Sequence, residues 1–229
     1  MKNRIISVIY FSIGIFFIIV ENNPDFLLPF ILKALIIPVL AILFMTNLHP
    51  AGNRLHLLML FGLFFSWAGD VLLELPKETA DLFIPGLACF LLAHAMYLSV
   101  FFLTPGGNFI FQRGVFFFIP LLLYGVGIVY YLYDGLGNTQ LPVILYTVVI
   151  LTMLAGAINR LKKVNASSFW LALAGAVLFL LSDSALAVNK FGHHFTGSSI
   201  VIMLTYVLAQ YLIVTGYISQ FRVIKAFKQ

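Results

Sequence analysis

Two aspartates, Asp70 and Asp183, stand inside long apolar runs. Asp70 follows Gly69 in FGLFFSWAGDVLLEL, residues 61–75, and Asp183 follows Ser182 in GAVLFLLSDSALAVNKF, residues 175–191. A carboxylate within a hydrophobic helix costs about 2.5–3.5 kcal/mol on insertion scales, so it usually has a partner or a task. Two carboxyls sharing a low-dielectric pocket resist ionising together, which sets a proton donor beside an anion. That equipment suits acid catalysis, and it also suits carriage of a proton or cation. The plain alternative is a hydrogen bond that ties one helix to the next.

Other polar side chains lie in similar surroundings. Lys33 sits in PFILKALIIP between Pro29 and Pro38. It can pair with an aspartate, hold a phosphate or extend its amine to the interface. His94 and Tyr97 are three apart in CFLLAHAMYLSV, and Tyr206 and Gln210 are four apart, so each pair shares a helix face. Tyr146 stands alone in its run. Ser66 and Ser182 precede the two acids by four residues and one, close enough to bond backbone carbonyls instead. Gly69, Gly86 and Gly175 suit close approach of helices. Glu74 falls at the end of its run and reads as an interface residue. His193-His194 lacks further ligands at metal spacing, so no metal site is expected. Walker, dinucleotide and Gly-x-Ser-x-Gly motifs are absent from the sequence.

The elements that position these residues are set by composition. Of 229 residues, 62% are hydrophobic and 9% charged, and mean hydropathy is +1.06. Soluble domains are nearer half apolar and a quarter charged. Long unbroken apolar runs exclude a membrane β-barrel, which alternates every second residue. The fold class is therefore all-α, a polytopic membrane bundle in a single domain over residues 1–229. Eight apolar spans are expected, near 4–20, 26–45, 55–75, 82–103, 114–133, 141–158, 168–188 and 198–219. Short separators join them, among them Asn22-Asn23-Pro24, Pro76-Lys77-Glu78, Asp134-Gly135 and Lys162-Lys163-Val164-Asn165. The first span resembles a signal-peptide core, but no small-x-small cleavage site follows it, so it reads as a retained helix.

A net charge of +5 is modest, and the basic residues stand singly in short loops. They read as an orientation signal, and no nucleic acid partner is expected. With eight spans, about ten basic residues from Lys2 to Lys228 fall on one side, Arg160 among them, and Lys77 and Lys190 on the other. This places both termini in the cytoplasm and the chain in a plasma or inner membrane. The lone Cys89 excludes an intrachain disulfide and reads as a small core residue. Asp70 and Asp183 then both lie about 15 residues into outward-running helices, ~22 Å from the cytoplasmic edge, and Lys33 lies ~10 Å from the outer one. The two acids are about 113 positions apart, and each following span carries a polar residue, His94 or Gln210. Two parallel four-helix halves would explain this echo.

The pattern resembles the YhhN-like membrane family, which includes the lysoplasmalogenases. The matching pieces are Lys33, then Gly69-Asp70 with Leu72-Leu73, then Gly86, Phe90, His94 and Tyr97. Tyr146 and Met153 follow, then Gly175-Ala176, Phe179, Ser182-Asp183, Ala187 and Phe191, and last Tyr206 and Gln210. They run in the family's order over nearly the whole chain. One departure is Lys33-Ala34 where the family has Lys-Pro, with a proline four residues later at Pro38.

The resemblance implies an eight-helix membrane hydrolase that cleaves the vinyl ether of a lysoplasmalogen. The products are a fatty aldehyde and glycerophosphoethanolamine or glycerophosphocholine. Such chemistry starts with protonation of the vinyl ether's β-carbon and needs a general acid and a carboxylate. It needs no metal, serine nucleophile or other cofactor. Asp70 and Asp183 are the expected catalytic pair. Lys33, His94, Tyr97, Tyr146, Ser182, Tyr206 and Gln210 are the expected substrate-binding residues, and the alkenyl chain would come laterally from the outer leaflet. A small proton-coupled transporter and a non-catalytic lipid-binding protein remain open beside this reading.

Overall fold

In a chain this apolar, the main-chain N–H and C=O groups find no water in a bilayer, and the helix satisfies them within each segment. The computed structural model describes residues 2–21, 26–48, 54–75, 82–106, 116 and 118–226, with side chains as far as 221. Its elements are α1 (Lys2–Val20), α2 (Leu27–Met45), α3 (Arg54–Glu74), α4 (Phe83–Leu103), α5 (Phe118–Leu136), a 3-10 turn (Gly137–Thr139), α6 (Gln140–Ile158), α7 (Ala166–Phe191) and α8 (Ser198–Ala226). Among the described residues, seven stretches are long and apolar enough to cross a membrane, one of them the 41 residues Phe118–Ile158. The expected separators at 22–24 and 76–78, and the expected start of a span at Gly114, lie outside the described residues.

The 41-residue stretch is folded in two. Gly137 takes φ +49, a left-handed conformation that glycine adopts without a Cβ clash, and the 3-10 turn starts there. α5 and α6 then run back along each other, and a Cβ on Gly125 would lie 2.6 Å from Leu151 Cδ1. This corrects the expected separator. Asp134 and Gly135 stay inside α5, and the chain reverses at the glycine with positive φ.

The chain divides into two compact units, Met1–Met96 and Tyr97–Gln229, with the boundary inside α4. In the first unit, α1 lies along α2 and α2 along α3. Asn3 Nδ2 donates to Asn47 Oδ1 at 2.7 Å and ties the start of α1 to the end of α2. α3 meets the first turns of α4 through two glycines. A Cβ on Gly69 would be 2.7 Å from the Phe90 ring, and one on Gly86 would be 2.6 Å from Leu73 Cδ2.

Pro38 lies inside α2. It has no N–H, so the carbonyl one turn earlier, at Ala34, loses its helical donor. The Trp67 indole of α3 replaces that donor at 3.0 Å. Trp67→Phe keeps an aromatic ring there but strips the bond, and we expect a loss of about 1–3 kcal/mol, the usual cost of an acceptor stranded away from water. Thermal unfolding in detergent checks this. An unchanged melting temperature would mean that Ala34 finds another donor.

In the second unit, α7 and α8 form the most extensive contact, and α6 and α5 pack against α7. α7 begins two residues before its expected start because Asn165 caps it. Asn165 Oδ1 accepts from the Ser168 N–H at 2.9 Å, and its Nδ2 donates to the Ser219 carbonyl at 2.9 Å. The preceding turn corrects one charge assignment. Arg160 is 0% exposed and is no solvated loop cation. Its guanidinium donates to the Ser168 carbonyl at 3.3 Å, the Ser168 hydroxyl at 2.8 Å and Gln220 Oε1 at 3.2 Å, and lies 5.2 Å from the Phe101 ring centre. Burial pushes this guanidinium down to about 10, with Tyr217 acting the other way, so it remains a cation at neutral pH.

Candidate active site

In the first unit the site residues come from α2, α3 and α4. Asp70 is 2% exposed and His94 0% exposed. Glu74 lies one turn beyond Asp70 on α3 and so shares its face. Lys33 reaches from the second turn of α2, and its Nζ donates to Glu74 Oε2 at 2.8 Å. Asp70 also acts on the Lys33 charge, more weakly than Glu74 does. The Phe17 ring of α1 faces the same ammonium, 5.3 Å from its centre. The sequence left Lys33 an aspartate, a phosphate or the interface as partner, and here its bonded partner is Glu74. A long lysine stem carries its charge toward the end of α3, where Glu74 sits, and past the more deeply buried Asp70.

In the second unit, four of the expected residues form two hydrogen-bonded groups and a fifth completes the first. Tyr97, fully buried on α4, donates its hydroxyl to Gln210 Oε1 at 2.9 Å. Gln210 Nε2 donates to the Tyr206 hydroxyl at 3.3 Å. Tyr206 packs edge-on against Phe179 with ring centres 5.5 Å apart. Separately, the Tyr146 hydroxyl of α6 donates to Asp183 Oδ2 of α7. Next to it, Ser184 Oγ and the Tyr124 hydroxyl of α5 are 2.7 Å apart. Asp183 is therefore held by two neighbouring helices through itself and the residue after it.

Ser182 has another use. Its hydroxyl donates to the Ile202 carbonyl at 2.9 Å and fastens α7 to α8. Two grooves open on apolar walls. One, of about 380 Å³, runs between α5 and α6 past Gly125, Val129 and Leu151, and one of about 180 Å³ runs between α2 and α3 past Pro38 and Trp67. None of the expected site residues lines either groove. Among the described residues, no group of three or more His, Cys, Asp or Glu could hold a metal ion.

Sequence reasoning missed Glu74, Phe17 and Tyr124. Glu74 had a signal, its i,i+4 spacing from Asp70. Phe17 and Tyr124 had none, because a ring in an apolar run looks the same whether it faces lipid or an ammonium.

Known proteins support the same reading. A lysoplasmalogenase of the pig, Sus scrofa, is 30% identical over 91% of this chain and 84% of its own length. A human lysoplasmalogenase is 32% identical over 77% of this chain and 70% of its own. A lysoplasmalogenase of Mycobacterium tuberculosis is 29% identical over 74% of this chain and 63% of its own. No solved structure matches the chain significantly. The profile of the YhhN family matches residues 28–217, which hold Lys33, both aspartates and every other expected site residue. This chain, a multi-pass integral membrane protein, belongs to the YhhN family.

Proposed function

We propose that this protein is a membrane lysoplasmalogenase, which hydrolyses the vinyl ether bond of a single-chain glycerophospholipid. The observation that carries the reading is family membership across residues 28–217 together with lysoplasmalogenase relatives at about 30% identity. The site chemistry agrees with it. A vinyl ether resists direct attack by a nucleophile. A carboxylic acid delivers a proton to its β-carbon, and the positive charge spreads over the α-carbon and the ether oxygen. Water adds to the α-carbon and loses a proton, and the hemiacetal breaks to aldehyde and glycerol hydroxyl. One carboxyl must donate, and one carboxylate must stabilise the cation and orient the water.

We assign these roles to Asp70 and Asp183. Asp183 Oδ2 accepts the Tyr146 hydrogen bond, which suits the anion's part, and the deeply buried Asp70 is left the acid's part. His94, Tyr97, Tyr206 and Gln210 supply polar groups for the substrate, and Lys33 takes its phosphate. The chain crosses the membrane eight times in this reading, with Phe118–Ile158 as two crossings and both termini in the cytoplasm of a plasma or inner membrane. The echo between Asp70 and Asp183 is then the trace of two parallel halves.

Aldehyde release from a synthetic lysoplasmalogen by the purified protein in detergent tests the reading. Aldehyde in proportion to enzyme supports it. No aldehyde from folded protein with either ethanolamine or choline head groups would overturn it.

A further inference from the structure

The Lys33–Glu74 pair has features that a helix-to-helix tie does not require. Both side chains keep some exposure, 15% and 20%, while Asp70 one turn away has 2%. Glu74 is the last residue of α3, so the pair marks the end of that apolar helix and Asp70 lies within it. An ion pair that keeps some exposure is open to exchange for another pair of opposite charges. The Phe17 ring stands within cation–π range of the cation that Glu74 holds.

We propose that Glu74 is a specificity-determining residue which, with Lys33, reads a zwitterionic phospholipid head group: Lys33 takes the phosphate and Glu74 takes the amine. This rests on the proposed lysoplasmalogenase reading. The exchange is neutral, since the pair and the head group each carry one positive and one negative charge. Phosphoethanolamine and phosphocholine both fit, and Phe17 adds a ring face for a quaternary ammonium. A phosphate without an amine satisfies Lys33 but meets like charge at Glu74. A head group without charge satisfies neither and leaves the ion pair closed. The spacing suits the reaction as well. Asp70 and Glu74 are four residues apart on α3, ~6 Å along the axis, and the glycerol backbone sets a comparable interval between phosphate and vinyl ether.

The test uses three uncleaved alkyl ether lysolipids as ligands of the purified full chain in detergent: one with phosphoethanolamine, one with a bare phosphate and one with no phosphate. The wild type is expected to bind the zwitterion about tenfold tighter than either other lipid. Glu74→Gln is expected to lose the preference over the bare phosphate, and Lys33→Met to lose the preference over the uncharged lipid. A purely structural ion pair would instead weaken all three alike in both variants, and that result would overturn the proposal. Equal affinities in the wild type would also overturn it. Soluble glycerophosphoethanolamine separates head group from lipid chain. It should compete in the wild type and not in Glu74→Gln, and equal competition in both would count against the proposal. Because the lipids are not cleaved, these outcomes stand whether or not aldehyde is released. Silence in the aldehyde assay would remove the activity and leave the head-group reading to its own result.

Discussion

Asp70→Asn and Asp183→Asn are each expected to lower aldehyde release by about 10²–10⁴-fold, the usual worth of a positioned acid or base. The substitution keeps side-chain shape and removes only the ability to ionise or deliver a proton. At Asp183 the amide oxygen can still accept from the Tyr146 hydroxyl, so the α6–α7 bond survives. At Asp70 the Lys33–Glu74 bond, which is the stronger influence on Lys33, remains in place. Loss of rate therefore reports chemistry and not collapse, provided that the melting temperature in detergent holds. Tyr146→Phe, which leaves Asp183 ionisable but unheld, should fall between wild type and Asp183→Asn. Full activity in both Asn variants would mean that neither carboxyl takes part. Full activity in one would reduce the site to a single acid and remove the paired mechanism.

The largest effect on stability is expected at the α7–α8 contact. A Cβ on Gly216 would stand 2.7 Å from the Ala172 amide nitrogen, and one on Gly175 would stand 2.9 Å from the Ala209 carbonyl oxygen and 2.9 Å from the Ile213 nitrogen. Besides the Ile213 and Leu171 side chains, the obstacles are main chain on the facing helix, and main chain cannot turn aside as the end of a side chain can. Small residues at such crossings let helices associate by close packing where no hydrophobic force drives them together. Gly216→Val should cost about 3 kcal/mol, at the upper end of overpacking penalties. For a chain of this size that is a fall of roughly 6–12 °C in melting temperature. Gly127→Ala on α5 is the control, since a Cβ there meets nothing within 4 Å. It should be neutral or slightly stabilising, because alanine favours the helix over glycine. Gly216→Val that melts with the wild type would mean that α7 and α8 stand further apart than described. The same variant should also loosen the Ser168–Gly216 hydrogen bond and with it the seat of Arg160.

The sequence by itself determined the class of the protein. Apolar runs of membrane-spanning length leave the helix as the way to satisfy the backbone in lipid, so most helix ends were legible within a few residues, while the last helix runs to Ala226, past its expected end at 219. The site was legible wherever the relation was local. Tyr206 and Gln210 share a face because they are four apart, and their side chains meet there in a hydrogen bond. The Tyr97–Gln210 and Tyr146–Asp183 bonds join residues that the sequence named singly but could not pair. Only the tertiary structure decided that Lys33 is held by Glu74, that Trp67 answers the carbonyl freed by Pro38, and that Arg160 is buried beneath Phe101. It also put the reversal between α5 and α6 at Gly137, two residues past the expected glycine. The physical reason is common to all four. Spacing along a chain fixes which residues share a face of one helix. Which side chains meet across helices, and which of two glycines turns the chain, depends on rotations and axial offsets set by all the packed side chains together.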